Sequence, residues 1–190
     1  PQTVFRLAPS RPTPQDTITL HPYEACLREK RLHAENFCHI EIQSNKMHGR
    51  PIMQAYGETR ILAMPMCPPM TTAQIDASFD LPYTRLPHPR YKGRDIPAYD
   101  RIRHSICMHR GCFGGCAFCT ISAHQGKFIA SRSQRSIMRE ARQVTAMHDF
   151  KGYISDLGGP SANMYAMHGR DLSKCEKCAR PSCLHPAPCP

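Results

Sequence analysis

Three cysteines between residues 112 and 119 carry the clearest chemical signal in the sequence. Cys112, Cys116 and Cys119 follow the spacing C-x3-C-x2-C within the run RGCFGGCAFCT. Three thiolates this close along the chain can each bind one iron of a cubane iron–sulfur cluster. The fourth iron would then have no protein ligand from this loop, and an open metal position is where a substrate or cofactor binds and reacts. The spacing therefore predicts a catalytic type of 4Fe-4S cluster.

The residues between these cysteines suit such a loop. Gly111, Gly114 and Gly115 allow the backbone to curl around a bulky inorganic core, which residues with a Cβ would resist. Phe118 places an aromatic ring beside the predicted cluster, where it could pack against a planar cofactor base. A zinc site or reduced core thiols remain the alternative, although zinc sites favour paired C-x2-C units and this loop contains only one.

A second cysteine group lies in a segment rich in proline and lysine. Cys175, Cys178, Cys183 and Cys189 follow the spacing C-x2-C-x4-C-x5-C. These four thiols could close a structural zinc site or hold a second iron–sulfur cluster. Metal binding would supply the folding energy that a proline-broken segment cannot obtain from a core. Reduced thiols without a metal are the alternative.

Composition limits the partners and the compartment. The chain of 190 residues has 25 Lys and Arg against 15 Asp and Glu, a net charge of +10 that could favour RNA. The charge is spread out, without a dense basic run interleaved with aromatics, so a solvated basic surface is favoured. An odd count of 11 cysteines at metal-like spacing indicates a reducing compartment. No apolar run approaches the roughly 20 residues that span a bilayer, and the first residues lack a signal-peptide core. These features predict a cytoplasmic protein without membrane association.

Residues 1–100 are predicted to form part of an irregular α+β domain. The predicted elements, in order, are an irregular tail over residues 1–20, a helix over 23–38, two strands within 50–64 split by Gly57, an irregular proline-rich run over 64–70, a helix over 71–79 capped by Thr71 or Thr72, and a proline-rich linker over 81–97. Cys26 and Cys38 are interpreted as small core residues.

Residues 101–190 are predicted to begin a second domain of the α/β class. Apolar runs predict strands over 102–110, with Cys107 in the core, and over 151–157, and helical spacing predicts a helix over 131–147 between them. Ser133 is the expected N-cap of that helix. Strand, helix and strand form a βαβ unit, whose strands should be parallel with a right-handed crossover.

Parallel strands would bring two motifs to one edge. The cysteine loop follows the first strand, and the turn at Gly158 and Gly159 follows the second. The carboxyl ends of parallel strands share one edge, and α/β barrels build their active sites there. The loop and the turn are therefore expected to converge on one pocket.

These motifs together resemble those of a known family. C-x3-C-x-aromatic-C resembles the cluster loop of the radical S-adenosylmethionine (SAM) superfamily. The runs RGCFGGC at residues 110–116 and ISDLGGPSANMY at 154–165 resemble its YgiQ branch, the UPF0313-like proteins. The runs LPYTR at 81–85, HPRY at 88–91 and IPAY at 96–99 extend the resemblance over most of the chain.

The resemblance implies a fold. Residues 101–190, with the Cys-rich segment 175–189, would begin a partial (β/α) radical SAM barrel through its first βαβ unit. Residues 1–100 would be the end of the family's N-terminal domain, with the proline-rich linker. A complete (β/α)8 barrel takes about 250 residues, so the chain is interpreted as a fragment that would not turn over by itself.

The resemblance also implies a reaction. SAM would bind the open iron through its amino and carboxylate groups, and a flavodoxin-like or ferredoxin-like reductant would supply one electron through the cluster. Reductive cleavage would yield methionine and a 5′-deoxyadenosyl radical, which abstracts hydrogen from a substrate that the sequence does not identify. The protein would position SAM, tune the cluster potential and exclude solvent.

Residues near the second turn are the candidate SAM contacts. Gly158, Gly159 and Pro160 stand where the superfamily usually has a Gly-Gly-Glu-like motif, with Pro160 in place of the acid. Recognition of the SAM amino group by the glycine backbone is therefore favoured over a carboxylate contact. Asp156 is equally well interpreted as a pocket residue and as a strand-end cap.

Four basic residues flank the cysteine loop. His109 and Arg110 are expected to raise the cluster potential or to favour thiolate. His124 and Lys127 follow the last cysteine and could border the pocket, but a surface position is favoured for both.

Two hypotheses remain. The first is the start of a radical SAM catalytic domain. The second is a non-catalytic zinc-binding module in which both cysteine groups are structural and the basic surface holds RNA or a protein. Phe118 and the Gly-Gly turn favour the first hypothesis, because a zinc module requires neither.

Overall fold

The computed structural model describes residues 3–8, 10–159 and 162–189. Its strands are β1 (Val4–Leu7), β2 (Ile18–Thr19), β3 (Ile52–Tyr56), β4 (Thr59–Ala63), β5 (Ser105–Cys107), β6 (His109–Arg110), β7 (Ala130–Ser131) and β8 (Asp156–Gly158). Its helices are α1 (Tyr23–Arg28), α2 (Lys30–Ser44), α3 (Thr72–Phe79), α4 (Pro97–Ile102), α5 (Ile121–Gln125), α6 (Gln134–Thr145) and α7 (Leu172–Lys177), with a 3-10 turn at Pro89–Tyr91.

Contacts divide the chain into two units. The first unit consists of Pro1–Pro69, Gly111–Phe128 and His168–Pro190, and the second of Met70–Arg110 and Ile129–Met167. Mixed helices and small sheets place the fold in the α/β class, as predicted. Among the described residues, no helix is both long enough and apolar enough to cross a membrane.

A four-stranded sheet forms the base of the first unit. Its strand order is β1-β4-β3-β2, with β4 antiparallel to both β1 and β3, and β2 parallel to β3. The two strands predicted on either side of Gly57 are confirmed, and they pair as a hairpin. β3 and β4 join at Gly57, whose φ of +52° is a left-handed conformation that glycine adopts without strain. Leu7 and Leu62 are buried in this sheet.

The predicted irregular tail over residues 1–20 was wrong. Val4–Leu7 lies opposite Arg60–Ala63, and Ile18–Thr19 lies opposite Ile52–Met53. These strands are short, and their hydrogen-bonding partners come from more than thirty residues further along the chain. Pairing with a distant hairpin therefore creates strands that the local pattern does not reveal.

The helix predicted over residues 23–38 is present but interrupted. Glu29 adopts an extended conformation between α1 and α2, and α2 continues to Ser44. The buried Asn36 side chain accepts a hydrogen bond from the His21 amide and donates one to the His21 carbonyl. Cys26 is half-buried beside Asn36, whereas Cys38 is exposed on α2, so the core position predicted for Cys38 was wrong.

The second unit contains the predicted βαβ unit. β5 and β8 pair in parallel, with Cys107 opposite Gly158, and α6 lies between them in the chain. Ser133 caps α6 as predicted, because its Oγ accepts the Ser136 amide at 3.1 Å. Ile106, Ile137 and Val144 form the buried core between strand and helix. The predicted α3 is also confirmed, with Thr71 and Gln74 forming a capping box.

The strand predicted over residues 102–110 is divided into β5 and β6. Met108 lies at the division, where its amide donates to Gly158 and its carbonyl accepts from Arg132. β5 therefore pairs with β8, whereas β6 pairs antiparallel with β7. The apolar pattern does not reveal that the two halves pair with different strands. The second strand, predicted over residues 151–157, is observed as β8, which is shorter and begins only at Asp156.

A buried ionic network fixes β5 in the second unit. Arg132 is fully buried, pairs with Glu140 and donates to the Cys107 carbonyl at 2.9 Å. Arg85 also pairs with Glu140 and donates to the Ser105 carbonyl at 2.6 Å. A buried cation needs such a counter-charge and satisfied donors. The proline-rich stretch thus contributes a packing residue, Arg85, to the second unit.

Candidate metal centre

The cysteine loop is anchored at both ends within the first unit. The Cys112 amide donates to the Gly126 carbonyl at 3.0 Å, just after α5. Gly111, Gly115 and Gly126 have φ values of +93°, +62° and +84°. The loop therefore needs glycine at these turns, because other residues adopt such conformations only with strain.

Two of the three cysteine sulfurs lie near the position that a side chain would take at residue 114. A Cβ atom placed on Gly114 would lie 3.5 Å from Cys112 Sγ and 3.6 Å from Cys116 Sγ. Cys112 is buried, Cys116 is exposed and Cys119 is half-buried. The Cys119 amide donates to the Cys116 carbonyl at 3.0 Å, so the third cysteine follows on an adjoining turn. The Cys112 and Cys116 sulfurs therefore lie close to each other beside Gly114.

This donor set fits an iron–sulfur cluster in its chemistry. Thiolates are the ligands that iron–sulfur clusters take. In the part of the chain that the structure describes, however, no three His, Cys, Asp or Glu side chains are arranged around a common metal position. Binding would therefore require the thiols to rotate toward the metal.

Phe118 and His124 both lie at the surface. The Phe118 side chain is 92% exposed and directly precedes Cys119. A planar apolar face in water next to Cys119, a predicted cluster ligand, is available for stacking. His124 is exposed, which confirms the surface position predicted for it.

The second cysteine segment packs directly on the loop. Ser182 Oγ donates to the Gly114 carbonyl at 2.7 Å, and the Cys183 amide donates to the Phe113 carbonyl at 3.0 Å. A Cβ on Gly115 would lie 2.6 Å from the Pro181 carbonyl oxygen. Sequence reasoning missed this contact because it joins positions nearly seventy residues apart, and no local pattern predicts such pairing.

Lys127 is buried, so its predicted surface position was wrong. Its side chain is among the largest that are fully buried in the described chain, at 1% exposure. Nζ donates to Cys178 Sγ at 3.3 Å and to the Arg180 carbonyl at 2.8 Å. The sequence signal that could have indicated this role is the position of a lysine between two cysteine groups.

The thiols around Lys127 differ in acidity. Burial raises the pKa of Cys178, but hydrogen bonds from the Arg180 backbone amide and from Lys127 outweigh it and leave that pKa below its ordinary value. Burial raises the pKa of Cys175, and neighbouring thiols raise it further. Burial also raises the pKa of Cys183. Cys178 is therefore ionised more readily than the other two.

The Gly-Gly turn belongs to the second unit. The Gly158 carbonyl accepts the Met108 amide at 2.6 Å, so this carbonyl is already used within the unit. Gly159 lies against His109, since a Cβ on Gly159 would be 2.0 Å from His109 Nε2. Asp156 is exposed at the start of β8. Pro160 lies outside the described residues.

His109 is fully buried and carries no charge at neutral pH. Its Nε2 accepts the Met164 amide at 3.0 Å, which places the proton of the neutral ring on Nδ1. Burial lowers the pKa of His109 below its usual value. The predicted electrostatic effect of His109 on the cluster was therefore wrong. The Arg110 guanidinium lies 5.9 Å from the centre of the Phe79 ring.

We expect Gly115→Ala to loosen the contact between the loop and residues 181–183. The new methyl group would collide with the Pro181 carbonyl, and the residue would keep a φ of +62° that alanine disfavours. Strain and overpacking together predict a local loss of about 3 kcal/mol. Hydrogen exchange of the Cys183 amide measures this loss. Gly114→Ala is the matched control and should leave the exchange unchanged, and equal acceleration in both variants would contradict the contact.

We expect Gly159→Ala to destabilise the second unit by about 1–3 kcal/mol, because its methyl group has no room beside the buried His109 ring. Urea unfolding measures the effect. The matched variant Gly158→Ala adds the same methyl group 3.7 Å from Asp156 Oδ1, an ordinary contact, and should change stability by less than about 0.5 kcal/mol. The packing described here fails if the two variants are equally stable.

Comparisons with known proteins agree with the resemblance seen in the sequence. A family model described as "Radical SAM N-terminal" matches residues 1–105. A UPF0313 protein of Porphyromonas gingivalis is 61% identical over 187 residues, which are 97% of this chain and 30% of that protein. No solved structure matches the chain.

Two further relatives show the same extent of similarity. A UPF0313 protein of Bacteroides thetaiotaomicron is 56% identical over 191 residues, which are 100% of this chain and 31% of that protein. A UPF0313 protein of the archaeon Methanocella arvoryzae is 49% identical over 175 residues, which are 92% of this chain and 29% of that protein. The chain thus spans about a third of the length of the curated relatives it matches. Because the family model covers more than half of the chain and the relatives match nearly all of it, the chain belongs to the radical SAM superfamily, among the UPF0313 proteins.

Proposed function

We propose that Cys112, Cys116 and Cys119 hold a 4Fe-4S cluster in a radical SAM enzyme. The observation that carries this proposal is the closeness of the Cys112 and Cys116 sulfurs, which lie 3.5 and 3.6 Å from the position that a Cβ on Gly114 would take. Membership of the radical SAM superfamily supports the cluster as the group that the thiolates bind. When bound, the cluster would supply an iron without a protein ligand, at which SAM is reductively cleaved to methionine and a 5′-deoxyadenosyl radical.

The chain's own residues would hold and shield this centre. Gly114 places no side chain beside the Cys112 and Cys116 sulfurs. Cys112 is buried, which keeps one ligand away from water, whereas Cys116 is exposed and remains accessible during metal uptake. The exposed Phe118 ring offers a face on which the adenine of SAM can stack.

The Gly-Gly turn is proposed to recognise the amino group of SAM. The Gly158 carbonyl already accepts the Met108 amide, so the proposal rests mainly on the backbone of Gly159. Glycine at 159 also accommodates the buried His109 ring. Asp156 is exposed and is proposed as a second polar contact, and Pro160 supplies no carboxylate.

The remaining assignments follow from the family. The βαβ unit formed by β5, α6 and β8 is proposed as the first unit of a partial radical SAM barrel. A flavodoxin-like or ferredoxin-like protein in the cytoplasm is proposed as the donor of the single electron that reductive cleavage needs. The substrate from which hydrogen is abstracted has no assigned chemistry in this proposal.

Reconstitution of the intact protein with iron and sulfide under anaerobic conditions tests the proposal. The dithionite-reduced protein should give the EPR signal of a 4Fe-4S cluster, and adding SAM should shift that signal, because SAM changes the ligands of one iron. The Cys112→Ala, Cys116→Ala, Cys119→Ala triple variant should lose the SAM-sensitive signal.

Cysteines elsewhere in the first unit provide the control. A Cys26→Ala, Cys38→Ala, Cys67→Ala triple variant removes the same number of thiols and should keep the signal, with circular dichroism showing that both triple variants are folded. Zinc in the loop, or a signal that ignores SAM and survives in the loop variant, would contradict the proposal. That result would support the alternative of a non-catalytic zinc module that contacts RNA or protein.

A further inference from the structure

The buried Lys127 side chain lacks a carboxylate partner among the described residues. The residue is 1% exposed, and the ion pairs described in the structure join other residues. A lysine is almost never fully buried unless it is paired, because burying its charge without a counter-charge is unfavourable. In the second unit the buried Arg132 has Glu140 as counter-charge. Lys127 requires an anionic group of another kind.

The atoms around the ammonium group identify that anion. Nζ donates to Cys178 Sγ at 3.3 Å and to the Arg180 carbonyl at 2.8 Å. Of these two atoms, only the cysteine sulfur can carry a negative charge. The buried ammonium group therefore faces a cysteine sulfur, and the surrounding segment supplies three more thiols.

Two backbone hydrogen bonds join the four cysteine residues of this segment in pairs. The Cys178 amide donates to the Cys175 carbonyl at 3.1 Å at the end of α7. The Cys189 amide donates to the Cys183 carbonyl at 2.7 Å. The segment thus presents two pairs of thiols, and its irregular backbone has few other means of stabilisation.

We propose that Cys175, Cys178, Cys183 and Cys189 bind one zinc ion and that Lys127 neutralises part of the charge of this site. Four thiolates around one divalent ion form a doubly negative centre, which is the counter-charge that the buried ammonium group lacks. The side chains are not gathered around a metal in the described structure, so the thiols rotate onto zinc at about 2.3 Å when it binds.

The C-x2-C pair favours a single ion over a second iron–sulfur cluster. Structural zinc sites are commonly built from such pairs, with four protein ligands and no open position. The sulfur of Cys175 also packs closely against Gly169, since a Cβ on that glycine would lie 2.3 Å from it. A hydrogen bond from Lys127 to a zinc-bound thiolate is a typical outer contact that tunes metal affinity.

This zinc site would stabilise the cysteine loop through contacts with the loop backbone. Ser182 Oγ donates to the Gly114 carbonyl, and the Cys183 amide donates to the Phe113 carbonyl, so a metal ligand and its neighbour contact the loop backbone. Zinc would thereby fix the segment against residues 113–115 before any iron is bound. The site does not depend on the function proposed for Cys112, Cys116 and Cys119.

Cobalt and zinc binding to the intact protein test the proposal. The Cys112→Ala, Cys116→Ala, Cys119→Ala variant removes the loop thiols and leaves the second site complete. Titrated with cobalt(II) under anaerobic conditions, this variant should develop the visible and near-ultraviolet absorption bands of tetrahedral cobalt bound by four thiolates, and about one equivalent of zinc should abolish them.

Variants of the second site extend the test. Adding Cys178→Ala and Cys189→Ala to the loop variant should remove the four-thiolate spectrum, whereas adding Cys67→Ala, an exposed control, should not. Lys127→Gln should keep the spectrum but weaken zinc binding about tenfold or more, measured by competition with a chelator. Because Lys127→Gln leaves all four cysteines in place, it measures the effect of the lysine on zinc affinity without removing a ligand.

The outcomes separate this proposal from the function proposed above. Four-thiolate cobalt bands in the loop variant support the zinc site even if the loop binds no cluster. Absence of the bands in the folded loop variant, or their persistence after the changes at Cys178 and Cys189, would overturn it. Iron and sulfide retained by the loop variant in place of zinc would also overturn it.

Discussion

The close contact between Gly115 and the backbone at Pro181 and Ser182 is the constraint on which the candidate metal centre depends. No side chain fits at this contact, because a Cβ on Gly115 would lie 2.6 Å from the Pro181 oxygen. The contact brings the two cysteine groups into one unit, and Ser182 then binds the Gly114 carbonyl. The second segment therefore supports the backbone that carries Cys112 and Cys116. The proposed catalytic loop and the proposed zinc site contact each other through this backbone.

The second unit depends on buried basic side chains that bind backbone groups. Its βαβ unit is fixed by a buried guanidinium, that of Arg132, which bonds the β5 carbonyl of Cys107 and pairs with Glu140 of α6. His109 fills the volume under Gly159 and bonds the Met164 amide. Both buried bases thus serve packing and satisfy backbone groups. The comparison also explains why Lys127 stands out, since its charge lacks the carboxylate that Arg132 has in the described structure.

Local patterns predicted the elements that local chemistry specifies. The capping residues Thr71 and Ser133, the two strands separated at Gly57 and the parallel strands on either side of α6 were all predicted correctly. Each follows from a cap, a turn or a periodicity within a few residues. The family was also identified correctly, because its motifs are short and contiguous in the sequence.

Features that depend on distant residues were missed. β1 and β2 exist because a hairpin some fifty and thirty residues away completes them. The burial of Lys127 depends on residues 178–180, and the division of the first predicted strand depends on Arg132. Amphipathic spacing does not encode these contacts. Charge in particular misled the interpretation, since lysine and histidine were assigned to surface or electrostatic roles that their burial excludes.

The most direct test of the central claim is electron–nuclear double resonance of the reduced intact protein with SAM labelled by 15N in its amino group and 17O in its carboxylate. A cluster held by only three thiolates predicts strong couplings to both labels, because both groups would bind the same iron. A 4Fe-4S signal that shows neither coupling at saturating SAM would contradict the claim, since the cluster would then have four other ligands and no open position.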